Sequence, residues 1–271
     1  MKWLETLLYG IVSGFSEFLP VSSRAHQLLI GRLTGLGDRL PLLNMMVHIS
    51  VFIAVYFECR NLIMRLKRDR AMAGRRGRSV RPNGLYDIRL IQSASIPMVI
   101  LLVLYAFIGN ADTLLHTALF LIVNGAFILI SEHMRHANKS ARYMTALDGI
   151  ILGVCGGLSA LPGLSRSGAV ISYSVARGAG KENAVNWSLL LSLPALAVLT
   201  VLDLYMMISG GIEPIRFVEF LLYIPASAVA FIAGVAAIRF LRFLTVRMDF
   251  SGFAYYSWCI ALFSFVLYLI V

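Results

Sequence analysis

Two short motifs, 142 residues apart, place serine and arginine side chains beside a proline within apolar sequence. The first spans residues 19–25, with the sequence LPVSSRA, and the second spans residues 161–167, with the sequence LPGLSRS. Aligned on their prolines, the motifs pair Ser23 with Ser165 and Arg24 with Arg166. A charged side chain is costly inside a membrane, so two arginines in such surroundings indicate function. Their repetition at half the chain length indicates a two-fold internal repeat.

The residue types around the first motif could carry out group transfer. They supply an acid, two hydroxyls, a cation and an imidazole: Glu17, Ser22, Ser23, Arg24 and His26. Together these provide a candidate nucleophile, base and electrostatic stabiliser. A carboxylate in an apolar helix needs a partner, and we expect either Arg24 or Arg166 to pair with Glu17.

The second motif has the composition of an oxyanion site. Ser165, Arg166 and Ser167 stand between Gly163 and Gly168, which would allow close approach of the backbone. The free N–H groups of a restarting helix bind anions, and the guanidinium fork matches phosphate bidentately. The residues alone therefore predict a phosphate or pyrophosphate site with a possible nucleophile and base.

The elements that carry these motifs belong to a polytopic membrane protein. Of 271 residues, 59% are hydrophobic and 14% are charged, where a soluble domain would have about a quarter charged. The net charge of +10 does not indicate nucleic-acid binding, because nine basic residues fall between Arg60 and Arg81, in a segment that joins two apolar spans. That distribution indicates a cytoplasmic loop that also faces anionic membrane lipids.

Six apolar segments are predicted to span the membrane: 40–57, 89–108, 113–131, 187–208, 218–243 and 250–271. Two further regions, 1–34 and 146–180, are interrupted by the motif prolines, which disfavour a continuous helix. Irregular backbone at membrane depth must be buried in protein or line a cavity. We therefore predict two re-entrant helical hairpins whose tips meet near the bilayer midplane.

The distribution of basic residues orients this arrangement. With segment 58–88 inside, 18 of the 24 Lys and Arg residues are cytoplasmic, and both termini lie outside. The two halves then have opposite topology within one membrane domain, with repeat 1 at about 1–135 and repeat 2 at about 146–271. The site at the hairpin tips is predicted to face the outside.

The string SEFLPVSSRAH at residues 16–26, with PGLSRSG at 162–168, resembles the undecaprenyl-pyrophosphate phosphatase family, also called bacitracin-resistance proteins. Further matches along the chain are VHIS at 47–50, Pro97, Asp148 and the run WSLLLSLP that ends at Pro194. The resemblance implies hydrolysis of a C55 isoprenyl diphosphate to its monophosphate and inorganic phosphate. It places that reaction on the outer face of a bacterial plasma membrane, where it recycles the lipid carrier of cell-wall synthesis.

The resemblance also implies which residues act. The family's functional positions fall on Glu17, Ser22, Ser23, His26, Ser165 and Arg166, and His48 lies where the family has Gln or His. We predict that Ser23 is the nucleophile, with His26 as base and Glu17 orienting it. Direct attack by His26, through a phosphohistidine, remains the alternative. Arg166 and Arg24 would clamp the charge on the transferring phosphoryl group.

Four positions depart from the family pattern. A glutamate (or glutamine) of the family is Ser13, a threonine is Arg24, a glycine is Ala25 and a glutamine is Gly156. The family is regarded as needing Mg²⁺ or Ca²⁺ at two acidic positions, of which Glu17 remains. We hypothesise that Arg24 replaces the ion; alternatively, Arg24 extends to the headgroups or pairs with Glu17.

Two other functions fit the same residues. Inverted repeats with broken helices are a transporter architecture, so the anion site could carry a polyprenyl phosphate headgroup across the bilayer. A catalytically silent paralogue that only binds lipid phosphate is the third interpretation. Release of phosphate from the diphosphate distinguishes the enzyme from both.

Overall fold

The computed structural model describes residues 2–36, 40–75, 83–108, 113–134, 139–209, 217–247 and 249–270. These residues fold into ten α-helices without a β-sheet. In chain order the helices are α1 (Lys2–Ser16), α2 (Ser23–Thr34), α3 (Leu40–Arg75), α4 (Asn83–Ile108), α5 (Leu114–Glu132), α6 (Ala146–Gly157), α7 (Arg166–Ala176), α8 (Lys181–Ser209), α9 (Phe217–Arg247) and α10 (Ser251–Ile270).

Six of the described helices, namely α3, α4, α5, α8, α9 and α10, are long and apolar enough to cross a membrane. This confirms the predicted number of spans. Helix α3 is longer than predicted, however, because it continues through the basic segment as far as Arg75. The prediction of a loop from residue 58 was therefore wrong. Arginine, lysine, leucine and methionine all favour helix, so charge ends the hydrophobic span without ending the helix.

The two regions interrupted by proline each form a pair of short helices. Helices α1 and α2 have 15 and 12 residues, and α6 and α7 have 12 and 11. At about 1.5 Å per residue, none of the four reaches about 30 Å, the thickness of a hydrocarbon core. These lengths fit re-entrant hairpins, and the turning back of each region inside the bilayer stays a prediction.

Glycines let the short helices pack closely against long ones. A Cβ on Gly10 or Gly14 of α1 would lie 2.3 Å from the carbonyl oxygen of Ala226 or Ala230 in α9. A Cβ on Gly153 of α6 would lie 2.1 Å from the carbonyl oxygen of Ala94 in α4. Such spacings of small residues are the usual means by which membrane helices approach each other. They fix the N-terminal arm of each broken pair against a spanning helix.

The helix contacts of the two halves correspond. Helix α1 packs on α9 and α6 packs on α4, while α3 packs on α9 and α8 packs on α4. If each helix of the first half is matched with the helix five places later, the contact between α1 and α9 corresponds to the contact between α6 and α4. The contact between α3 and α9 corresponds in the same way to the contact between α8 and α4. This is the pattern expected of a two-fold repeat, whose boundaries at about 135 and 146 stay a prediction. Arg39, Arg216 and the short segment 109–112 lie outside the described residues.

The ends of the second broken pair are fixed by Asp148. Its carboxylate accepts hydrogen bonds from the backbone and hydroxyl of Thr145, which form a capping box at the start of α6. The same carboxylate binds Arg177, just past α7, at 2.6 Å and Tyr173 of α7 at 2.9 Å. This network joins the start of α6 to the end of α7. It therefore holds the two helices together on either side of the break, which is the interruption between α6 and α7.

Candidate active site

The two motifs contact each other directly. The backbone N–H of Gly163 donates to the Ser22 hydroxyl at 3.1 Å. The hydroxyls of Ser165 and Ser167 donate to the carbonyl oxygen of Leu19, at 3.2 and 2.8 Å. The unpaired backbone groups of one break are therefore satisfied by the serines of the other. The prediction that the motifs meet is confirmed.

Both restarting helices are capped by the motif serines. Ser22 accepts from the N–H of Ala25 at the start of α2, and Ser165 accepts from the N–H of Gly168 at the start of α7. Ser22 has a φ of 65°, a conformation that is costly for a residue with a side chain. Its bonds to Ala25 and to the opposite break offset that cost.

Asn124 of α5 joins the two breaks from the side. Its amide nitrogen donates to the carbonyl oxygen of Pro20 at 3.1 Å, and its amide oxygen accepts from the N–H of Ser165 at 3.0 Å. The same nitrogen donates to Ser257 of α10 at 3.1 Å. Sequence analysis did not identify Asn124, although a buried amide within an apolar span is itself a signal of function.

Gly163 and Gly168 are placed where side chains do not fit. Gly163 has a φ of +113°, and a Cβ there would lie 2.6 Å from the carbonyl oxygen of Thr117. A Cβ on Gly168 would lie 3.0 Å from the Asn124 amide oxygen and 3.2 Å from Pro20. Both glycines thus permit contact between the breaks, and neither lines the cavity described below.

Arg166 and Glu17 form a buried ion pair at the centre of the site. Nη1 of Arg166 lies 3.1 Å from Oε1 of Glu17, and both side chains are 6% exposed. Nη2 of Arg166 also donates to the hydroxyl of Ser192 at 2.9 Å. Nε of Arg166 has no hydrogen-bond partner among the described residues. Of the two predicted partners of Glu17, the structure therefore shows Arg166.

A cavity of about 370 Å³ lies against this pair. Its lining includes six of the predicted site residues: Glu17, Ser23, Arg24, His48, Ser165 and Arg166. Ser22 and Ser167 are not among the lining residues, and their hydroxyls take part in the contact between the breaks. The cavity thus combines a hydroxyl, two guanidinium groups and a carboxylate, the groups that phosphoryl transfer requires.

His26 is held away from the cavity lining, contrary to prediction. Its Nδ1 lies 2.8 Å from the carbonyl oxygen of Ser22, and its Nε2 lies 2.7 Å from the hydroxyl of Tyr256 in α10. A carbonyl only accepts, so Nδ1 carries the proton, and Nε2 of the neutral ring accepts from Tyr256. Both ring nitrogens are therefore in use, and Glu17, paired with Arg166, does not orient this ring.

His48 lines the cavity from α3 and binds a residue that sequence analysis did not identify. Its Nδ1 lies 2.6 Å from Oδ2 of Asp203 in α8, and both residues border the cavity. Asp203 is an acid within a predicted span, which was a signal available in the sequence. Arg24 and Tyr105 also border the cavity, and the guanidinium of Arg24 lies 5.1 Å from the ring centroid of Tyr105 in α4.

The departures from the family pattern leave a poor site for a divalent cation. Ser13 is buried, and its hydroxyl has no hydrogen-bond partner among the described residues. Glu17 is engaged by Arg166, and the described residues include no group of three or more His, Cys, Asp or Glu side chains that could hold a metal. Mg²⁺ and Ca²⁺ require several oxygen ligands. These donors do not fit such an ion.

The other two departures lie in packed positions. Ala25 is fully buried, in a cluster with Leu121 and Ala261. A Cβ on Gly156 would lie 3.0 Å from the sulfur of Met98, so a side chain here requires Met98 to move. Both positions are therefore closely packed.

Comparison with known proteins identifies close similarity over the whole chain. A family model described as Bacitracin resistance protein BacA matches residues 6–263. A Shouchella clausii protein named Undecaprenyl-diphosphatase 1 is 31% identical over 270 residues, which cover 98% of this chain and 96% of that protein. An Alkaliphilus metalliredigens protein named Undecaprenyl-diphosphatase is 30% identical over 268 residues, covering 96% of each chain. A Syntrophotalea carbinolica protein of the same name is 30% identical, covering 95% of this chain and 96% of its own.

Proposed function

We infer that this chain, which belongs to the bacitracin resistance protein family, is an integral-membrane phosphatase that hydrolyses undecaprenyl diphosphate to undecaprenyl phosphate and inorganic phosphate. The observation that carries this inference is the buried pair of Glu17 and Arg166 beside Ser23, in one cavity where two broken helices meet. The comparisons give no support to the transporter alternative.

Arg166 binds the substrate headgroup in this proposal. Its Nε has no partner among the described residues, and its Nη atoms are fixed by Glu17 and Ser192. A guanidinium that is already oriented loses little freedom on binding phosphate, and it stabilises the charge that develops on the phosphoryl oxygens. Arg24, which also lines the cavity, contributes a second permanent cation.

Ser23 is the better placed of the two candidate nucleophiles. It borders the cavity, whereas His26 is bound by Ser22 and Tyr256 and does not. In the proposed reaction the hydroxyl oxygen of Ser23 bonds to the terminal phosphorus and the bond from that phosphorus to the bridging oxygen breaks. The hydroxyl proton passes to the departing undecaprenyl phosphate. Water then attacks the phosphoserine and releases inorganic phosphate. Undecaprenyl phosphate leaves in the first step and phosphate in the second.

The proposed setting is the plasma membrane of a bacterium, with the cavity open to the outside. The protein is a multi-pass membrane protein, with six described helices able to span the bilayer. Its basic residues favour a cytoplasmic location for the C-terminal end of α3. Product from an external site would re-enter the cycle of the lipid carrier of cell-wall synthesis.

Release of phosphate from undecaprenyl diphosphate by detergent-purified protein tests the function. We expect the wild type to release phosphate and Arg166→Ala to release none. In Arg166→Lys we expect the rate of release to fall at least about 100-fold, because lysine lacks the planar fork of the guanidinium. Arg68→Ala, which removes an exposed arginine of α3, is the matched control. Absence of phosphate release from folded wild-type protein would contradict the proposal.

A further inference from the structure

The cavity is too small for the whole substrate. Its volume of about 370 Å³ is near the lower end for sites that enclose drug-sized molecules. A diphosphate headgroup with the first isoprene unit fills such a space, and the rest of a C55 chain must leave it. Because the chain is apolar, it must leave between two helices and into the bilayer.

Most seams around the cavity are closed by tight packing. Helices α4 and α8 share an apolar core cluster that includes Ala94, Met98 and Leu191, and on their outer side the rings of Phe107 and Tyr205 are 5.5 Å apart. Helices α3 and α8 pack together and are joined by His48 and Asp203. Helices α1 and α3 are joined by a hydrogen bond from Tyr9 to Asn44.

At the seam between α2 and α4, the two helices face the cavity and meet through a cation–π contact. Each helix presents one face to the cavity at spacings of three and four residues: Arg24, Gln27 and Leu28 from α2, and Leu102, Tyr105 and Ala106 from α4. Across this seam the guanidinium of Arg24 lies over the ring of Tyr105. A cation–π contact is weak compared with a charge-assisted hydrogen bond from a guanidinium to phosphate. A phosphate near Arg24 would compete for the same guanidinium.

Apolar side chains line the cavity at this seam, as they also do along α8. Leu28, Tyr105 and Ala106 are half-buried, so their surfaces are accessible from the cavity. On α4, the neighbouring Leu104 is exposed, as expected for a side chain that meets lipid. An apolar path therefore runs from the charged end of the cavity, past Tyr105, to the lipid-facing surface of α4.

We propose that the isoprenoid chain of the substrate leaves the cavity between α2 and α4, across Leu28, Tyr105 and Ala106. This inference rests on the proposed function and adds a binding site for the lipid chain. Binding of the diphosphate by Arg24 draws the guanidinium from Tyr105, and the first isoprene units then pack on the exposed ring. In this proposal Arg24 recognises the headgroup and Tyr105 recognises the beginning of the chain.

Photo-crosslinking of the wild-type protein tests the path without any substitution. The probe is farnesyl diphosphate that carries a diazirine on its terminal isoprene unit, and adducts are located by peptide mass spectrometry. We expect adducts on the cavity face of α2, around Leu28, and on residues 102–107 of α4, with loss of labelling when undecaprenyl diphosphate is added. Adducts concentrated on α3, α8 or α9 would overturn the proposal.

A kinetic test uses Ala106→Trp, which fills the seam, with Ile100→Trp as the control because Ile100 lies on another, exposed face of α4. We expect Ala106→Trp to raise KM for undecaprenyl diphosphate at least about fivefold, while inhibition by inorganic pyrophosphate, which has only the headgroup, is unchanged. Ile100→Trp should match the wild type. Equal KM values in both variants would overturn the chain path, whereas an inactive wild type would contradict the phosphatase function instead.

Discussion

At the scale of single residues, the site separates two candidate nucleophiles that are only three positions apart. Ser23 faces the cavity, while the ring of His26 is bound at both nitrogens by Ser22 and Tyr256. These contacts indicate that the histidine has a structural role, holding α2 against α10. A role in transfer would require it to give up at least the bond to Tyr256.

We therefore expect Ser23→Ala to lower kcat by about 10³-fold or more, since a nucleophile has no substitute. His26→Gln can keep hydrogen bonds to Ser22 and Tyr256, and we expect it to retain at least about a tenth of wild-type turnover. Initial rates of phosphate release provide the measurement, with Tyr256→Phe as the control for the contact to α10. Active Ser23→Ala protein, with inactive His26→Gln protein, would instead assign the attack to His26.

The charges around the cavity lead to a second prediction at this scale. Ser13 replaces a carboxylate of the family pattern, Arg24 adds a cation, and Glu17 is already paired with Arg166. Because few oxygen ligands remain for Mg²⁺ or Ca²⁺, we propose that Arg24 supplies the charge that the ion would supply.

We expect turnover in excess EDTA to stay within about twofold of turnover with Mg²⁺ or Ca²⁺. Arg24→Thr, which restores the family residue, should lose most of its activity, because the cation next to the reacting phosphate is removed. The assay is phosphate release with and without chelator, and Arg68→Thr serves as the control. Complete loss in EDTA, with recovery on addition of either ion, would return Arg24 to a structural role.

At the scale of elements, the site depends on two breaks that bond to each other. Gly163 combines a positive φ with contact to α5, where its Cα approaches Thr117 and Phe120. A side chain with a Cβ would be strained in that backbone conformation, and the break would have to move away from α5. Its bond to Ser22 would then be lost as well.

We expect Gly163→Ala to destabilise the protein by at least about 2 kcal/mol, the sum of an unfavourable φ and a steric clash. Gly252→Ala is the matched control, because a Cβ on Gly252 meets nothing within 4 Å and alanine favours helix. Thermal unfolding in detergent measures both variants. A midpoint for Gly163→Ala equal to that of Gly252→Ala would show that the contact between the breaks does not limit stability.

The sequence predicted these elements better than it predicted their contacts. Proline acts locally, so the breaks before α2 and α7 were correctly predicted. The serine caps were not predicted, because the N–H groups at these helix starts were expected to be free for an anion. The predicted end of α3 was wrong because hydrophobicity marks the boundary of the membrane, whereas helix propensity sets the end of the helix. Asn124, Ser192, Asp203 and Tyr256 were missed because their partners are far away in the chain.

At the scale of the whole molecule, the two halves contribute different groups to one cavity. The first half supplies Glu17, Ser23 and Arg24, and the second supplies Ser165 and Arg166. The pair of Glu17 and Arg166 therefore connects the halves, in addition to its role at the site. A protein in which either half is displaced has an unpaired buried charge, so assembly of the site and of the fold are linked.

Orientation in the membrane is the remaining property of the whole molecule, and we predict it from charge. The C-terminal half of α3 is rich in Lys and Arg, and exposed or half-buried basic side chains there include Arg65, Lys67, Arg68 and Arg70. The positive-inside rule places this part of α3 in the cytoplasm. An odd number of crossings after α3 then places the C-terminus, which follows α10, outside, provided that α6 and α7 turn back within the bilayer.

Fusions to alkaline phosphatase, which is active only outside the cytoplasm, test this orientation in a bacterial host. We expect high activity when the enzyme follows residue 271 and low activity when it follows residue 70, with a fluorescent protein showing the opposite pattern. Fusion after residue 181, the start of α8, distinguishes a hairpin from a crossing. Low phosphatase activity there means that α6 and α7 return to the cytoplasm, as proposed, whereas high activity would mean that this region crosses the bilayer and that the halves do not have opposite topology.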